Sequence, residues 1–204
     1  MKSSEVSRRS VGAKQNPEAA TAILDAAESL LAKLGLKGLT TDAIAREARA
    51  SKTTLYRWWP NRGALLLALY MRMKAGHVHA DSGSLLQDVS YFYRQIFAFW
   101  RGDGHVFALI IAEAQQDVTV SEALLSFRVE RLAELILVVV KAESRGELRR
   151  GANPHTIAES ILAHAWLYLL TRQLDADPMK FANQVIWPWL KELPLNVPEF
   201  FGAH

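Results

Sequence analysis

Residues 40–62, TTDAIAREARASKTTLYRWWPNR, restrict the fold more tightly than any other part of the chain. Thr40 and Ser51 each stand before a short segment with helical apolar spacing. A hydroxyl at that place accepts from an unpaired amide of the first helical turn. Asp42 adds a negative charge near the positive end of the first segment. Ile44, Ala45 and Ala48 give that segment a narrow apolar stripe of mostly small residues, which lets a second helix cross close by. Leu55 and Trp59 predict the inward face of the second segment and leave Lys52, Thr53, Tyr56 and Arg57 on its other faces. Pro60 and Asn61 stop it, because proline lacks a donor and clashes with the preceding turn. The pattern predicts a helix-turn-helix whose second helix presents groups suited to groove edges and phosphates.

Charge is divided along the chain in the same sense. Residues 1–75 carry 13 Lys and Arg against 6 Asp and Glu, a net +7, whereas residues 76–204 carry 11 against 15, a net −4. A basic end on a mildly acidic remainder is the electrostatic footprint expected of a DNA-binding domain. With no cysteine in its 204 residues, the chain has no disulfide and no thiolate metal ligand. Apolar runs such as residues 135–140 are far shorter than the ~20 residues a spanning helix needs. No apolar run of a signal peptide stands near the start. The expectation is a cytoplasmic protein with no membrane partner.

The remainder reads as helix throughout. Residues 1–16 are polar and basic, and predict a flexible arm that either is a plain terminus or reaches the DNA backbone or minor groove. A first helix spans 17–34 and ends at Gly35, and a fourth begins near Arg62. Further helices are predicted from about 85 to 101, 105 to 116 and 118 to 144. Asn153-Pro154 and Asp177-Pro178 are cap-plus-proline starts for two more, running to about Leu174 and Leu193. No strand alternation is evident. The fold class is all-α: an N-terminal three-helix helix-turn-helix domain (17–62), joined by a fourth helix to a C-terminal helical domain (63–204).

The segments ILDAAESLLAKLGLKGLT, TDAIAREA and SKTTLYRWWPNRGALL resemble the tetracycline-repressor (TetR/AcrR) family of bacterial transcription regulators over about residues 19–70. The combination of IAREA, a short turn, S-x-x-T-L-Y and then P-x-[KR]-x-x-L is specific to that family. The resemblance implies a third helix in the major groove of double-stranded operator DNA, with Lys52, Thr53 and Thr54 at base edges. It further implies phosphate contacts from Thr40, Thr41, Tyr56, Arg57, Trp58 and Arg62. One departure is Arg49, which stands where the family usually offers glycine. Either the turn is looser there or a left-handed residue is tolerated at ~1 kcal/mol.

The same resemblance implies a homodimer formed by the last two helices, and a cavity for a small-molecule effector. Ile157, Ile161, Ala165, Leu169, Val185 and Trp189 are the candidate dimer surface, with intramolecular core as the alternative reading of that stripe. For the cavity, the aromatic candidates are Tyr93, Phe97, Trp100, Phe107 and Tyr168, and the polar ones are His105, Glu113, Gln116 and His164. These types suit a small, largely hydrophobic effector. The function implied is a repressor that releases its operator when the effector binds, with no cofactor, no metal and no catalysis. Two alternatives remain at this point. A helical scaffold would leave the charge division and the cluster at 52–57 unexplained, and a helical enzyme finds no HExxH or phosphate-loop motif. His77, His79 and Asp81 are the one conceivable metal group.

Overall fold

A computed structural model describes residues 17–74 and 80–191. The basic arm at 1–16, His77, His79 and residues 192–204 lie outside the described residues. The helices are α1 (Pro17–Leu34), α2 (Thr41–Glu47), α3 (Lys52–Trp58), α4 (Arg62–Met73), α5 (Leu85–Arg101), α6 (Val106–Ala114), α7 (Val118–Ser144), α8 (Pro154–Leu170) and α9 (Pro178–Ile186). Among the described residues the sole β feature is an isolated bridge between Leu148 and Leu190. The chain divides into two compact units, with the boundary inside α4 between Leu65 and Leu66.

In the first unit, α1 turns Ile23, Ala27, Leu30 and Leu31 inward, and Leu39, Ile44, Ala45 and Leu55 complete the core. Each fully buried Leu or Ile contributes roughly 1.5–3 kcal/mol. Gly35, at φ 65, ends α1 in the left-handed region, and its N–H bonds Leu31 O at 2.9 Å. Thr40 and Ser51 cap α2 and α3 as expected, accepting from Ala43 N and Thr54 N.

The turn between α2 and α3 resolves the position of Arg49. Its φ is 51, and the next amide, Ala50 N–H, closes the turn on Ala45 O at 2.9 Å. The turn is therefore as tight as a glycine would make it, and Arg49 holds the left-handed conformation with its side chain exposed.

The second unit is layered around α5, whose Leu85, Val89, Tyr93, Ile96, Phe97 and Trp100 are all buried. α5 packs against α9 and α8, and α7 packs against α6 and α8. Asn153 and Asp177 accept from the first amides of α8 and α9, as the cap-plus-proline pattern predicted. Their other ends were misplaced. α8 stops at Leu170 instead of Leu174, because Arg172 turns left-handed at φ 59 and Gln173 N–H closes on Tyr168 O at 2.9 Å. α9 stops at Ile186, since Pro188 cannot continue the ladder, and a 3-10 turn covers Trp187–Trp189.

The expected dimer stripe is corrected here. Ile157, Ile161 and Ala165 are 0% exposed, and Leu169 and Val185 are buried as well. They form this subunit's own core, and Tyr93 Oη donates to Ile161 O at 3.0 Å. Trp189 is half-buried under the Arg149 guanidinium, 5.5 Å from its ring centroid. The apolar side chains that α8 and α9 leave outward are Ala163, Leu167, Leu170, Met179 and Trp187.

Replacing Arg49 with glycine should raise the unfolding free energy by about 1 kcal/mol. A urea midpoint that stays or falls in Arg49→Gly would show that the arginine side chain offsets its backbone cost.

Candidate nucleic-acid interface and buried cavity

α3 rests on Leu55, which is fully buried, and exposes Lys52, Thr53, Tyr56 and Arg57. Lys52 forms an ion pair with Asp42 on α2. That hydrogen bond, aided by the charge of Asp42, raises the lysine pKa and keeps it protonated. Tyr56 Oη donates to Thr41 Oγ1 at 3.4 Å, joining the middle of α3 to the start of α2. The face thus holds three hydroxyls, an ammonium and a guanidinium on two helices.

Three expected contact residues also make bonds within the domain. Thr54 is half-buried and its hydroxyl meets Ser51 Oγ at 2.8 Å, within the cap of α3. Thr40 Oγ1 accepts Ala43 N–H at 3.2 Å and is likewise a cap. Arg62, also half-buried, donates from Nε to Leu39 O at 2.8 Å, which ties the start of α4 to the loop before α2. Trp58 is half-buried at the end of α3, with the Trp59 ring centroid 6.2 Å away. Trp59 is not on the inward face of α3. It caps the helix with extended backbone, the conformation that a following proline imposes.

In the second unit a small cavity lies among α4, α5, α6, α7 and α8. Of the expected lining, only Trp100 and Phe107 reach it. Tyr93, Phe97 and Tyr168 instead stack with Phe181 in the layer between α5, α8 and α9, with Tyr168 and Phe181 centroids 4.0 Å apart. His105 binds Gly102 O through Nδ1, and His164 is exposed with Nδ1 2.7 Å from Ser160 O. Glu113 and Gln116, at the end of α6 and just beyond it, do not line the cavity.

Beside further apolar walls, sequence reasoning missed a polar group in this lining. Tyr70 and Lys74 come from α4, and Arg131 and Glu134 from α7. Trp100 Nε1 donates to Tyr70 Oη at 3.1 Å, and burial pushes the Tyr70 phenol up. Arg131 pairs with Glu134 at 2.8 Å, while its buried Nε meets no acceptor. Both cations lie over one ring: Lys74 Nζ is 5.8 Å and the Arg131 guanidinium carbon 5.6 Å from the Phe127 centroid. Burial, and then repulsion by Arg131, lowers the Lys74 pKa to about 8, with Glu134 opposing. A readable signal existed, since Arg131 falls in the apolar stripe Phe127, Arg131, Leu135 at helical spacing. Asp81, conceived as a metal ligand, instead pairs with Lys141 at 2.6 Å and Arg145 at 3.5 Å.

A buried ammonium should cost stability. Lys74→Met is expected to raise the unfolding free energy at pH 7 by on the order of 2 kcal/mol. The folded pKa lies below the unfolded value of 10.5. The native state therefore sheds its proton first, and the wild-type chain gains stability between about pH 8 and 10.5. The advantage of the methionine variant should narrow across that window in thermal melts. A constant advantage would show that the folded chain holds the Lys74 proton as firmly as the unfolded one, with no depressed pKa.

Comparison with known proteins accounts for both halves of the chain. Residues 23–69 match the family described as bacterial regulatory proteins, tetR family, and residues 79–185 match the tetracyclin repressor-like C-terminal domain. The chain is similar to YdeS, an HTH-type transcriptional regulator of Bacillus subtilis, at 32% identity over 132 residues. That match spans 63% of this chain and 66% of YdeS, so the chain spans just under two thirds of that relative's length. The TetR family transcription regulator SCO0332 superposes with a TM-score of 0.66 at 25% identity, covering 83% of this chain and 95% of that one. SmeT of Stenotrophomonas maltophilia, solved in complex with triclosan, shares the fold at a TM-score of 0.58 and 18% identity, over 89% and 98% of the two chains. This chain belongs to the tetR family of bacterial regulatory proteins, and is a helix-turn-helix DNA-binding transcription regulator and not an enzyme.

Proposed function

We propose that this regulator is a cytoplasmic homodimeric repressor that binds operator DNA through α3 and releases it when a small molecule enters the second unit. The observation that carries the reading is the exposed row on α3, backed by the buried Leu55. Lys52 and Thr53 read base edges in the major groove, where lysine donates to guanine acceptors and a threonine methyl meets that of thymine. Tyr56, Arg57 and Thr41 hold phosphates, and phosphate contacts set position without selecting sequence. Asp42 keeps Lys52 in place until a base edge takes over the ammonium.

Dimerisation falls to the outward apolar residues of α8 and α9, above all Leu167 and Leu170, which are about half exposed. A symmetric pair places two α3 helices on two half-sites. Coupling falls to α4, one continuous helix whose first residue ties to Leu39 and whose Tyr70 walls the cavity. An effector acts only through its different affinity for the DNA-competent and incompetent states.

Two measurements test this reading. In binding titrations at fixed salt, Lys52→Ala should lose roughly 1–3 kcal/mol and change base preference at one position of each half-site. Tyr56→Phe should weaken binding evenly across sequences. An unaltered preference in Lys52→Ala would remove it from base readout. For assembly, Leu167→Glu with Leu170→Glu should give a folded monomer by sedimentation and circular dichroism, with weakened operator binding. A surviving dimer would move the interface to the exposed Leu125, Val129 and Leu137 of α7.

A further inference from the structure

Arg49 follows α2 in the left-handed region at φ 51, a conformation that an L side chain enters at a cost. The same domain meets the same demand at the end of α1 with glycine, Gly35 at φ 65. Two backbone bonds fix the strained turn: Arg49 N–H reaches Arg46 O at 3.1 Å, and Ala50 N–H reaches Ala45 O at 2.9 Å. The side chain does not offset the cost from within. It is exposed, and among the described residues its guanidinium meets no carboxylate or other acceptor. Neighbouring cations are engaged: Lys33 with Glu47 at 3.1 Å, Lys52 with Asp42, and Arg62 with Leu39 O.

Arg172 follows α8 in the same left-handed way, so strain alone does not single out Arg49. Its place does. Arg49 stands three residues before Lys52, in the turn that leads into α3, so their Cα atoms are at most about 11 Å apart.

We propose that Arg49 is a further DNA-contacting residue, its guanidinium gripping a backbone phosphate at the edge of the groove that α3 enters. This extends the α3 reading above and rests on it. A helix seated in a major groove about 12 Å wide has a phosphate strand on each flank. The turn leading into that helix stands beside one strand, and a long side chain closes the remaining distance. A guanidinium offers parallel N–H donors to two phosphate oxygens, and such charge-assisted bonds are the strong ones. Because the turn is already fixed, contact costs the freedom of one side chain and little of the backbone. Glycine here would relieve the backbone and lose the grip. Strain of this kind persists where a binding surface needs the residue that bears it.

The test uses the full chain and a DNA duplex that the wild-type chain selects from a random-sequence library. Binding is titrated over a series of salt concentrations, with urea unfolding in parallel. Arg49→Gly is expected to bind about tenfold more weakly near physiological salt and to flatten the slope of log K against log salt by about 0.9, while its urea midpoint rises. Arg49→Lys should keep the slope and part of the affinity, because the charge remains and the fork is lost. Base preference should stay the same in both, since a phosphate grip sets position without choosing sequence. Unaltered affinity and slope in Arg49→Gly overturn the contact, and the α3 reading stands if Lys52→Ala still weakens binding in the same assay. No loss in either Arg49→Gly or Lys52→Ala overturns both. Affinity and urea midpoint falling together assign the arginine to holding the turn and overturn the contact. A changed base preference overturns the phosphate assignment.

Discussion

Tyr70 ties α4 to three other helices, and the second unit depends on that junction. Its ring stacks on Phe107 of α6 at 4.5 Å, meets Phe127 of α7 edge-on at 5.6 Å and lies 5.5 Å from Phe99 of α5. Its hydroxyl takes the indole proton of Trp100. Ring pairs of this kind add roughly 0.5–1.5 kcal/mol each beyond area burial, and the hydrogen bond about 1. The cation-lined void sits beside this junction, with Tyr70 in its wall.

How far the chain could be read from its letters follows from what each signal encodes. Helix starts were legible because capping is local: Thr40, Ser51, Asn153 and Asp177 each accept from amides two or three residues ahead. Helix ends were less so, because α8 stops on a left-handed arginine, which carries no compositional mark. The periodic stripe Ile157, Ile161, Ala165, Leu169 announced an inward face but not which neighbour it faces, and it faces its own subunit. Aromatic spacing likewise separated core from surface but could not divide core from cavity wall. The more informative residue was Arg131, a charge set in an apolar stripe.

On the DNA face, legibility was greatest where the motif was most specific. The outward set of α3 emerged from the position of Leu55 alone. The bonds of Thr54 and Arg62 did not, since each is made to a partner the spacing does not name. Asp42 shows the same limit, acting both as a charge near the start of α2 and as the resting partner of Lys52.

The strand-like contact between Leu148 and Leu190 has a mechanical consequence. Arg149 N–H bonds Trp189 O at 3.0 Å, and Lys191 N–H bonds Glu147 O at 2.8 Å. These bonds buckle the chain into a belt whose two ends are fastened at one point, with α8 and α9 as its two rigid links. A belt fastened at its base transmits a tug from the end of α7 to the end of α9 by a route that bypasses the side-chain packing between them. Loss of either bond would leave the stretch after α9 without its backbone anchor to the stretch after α7.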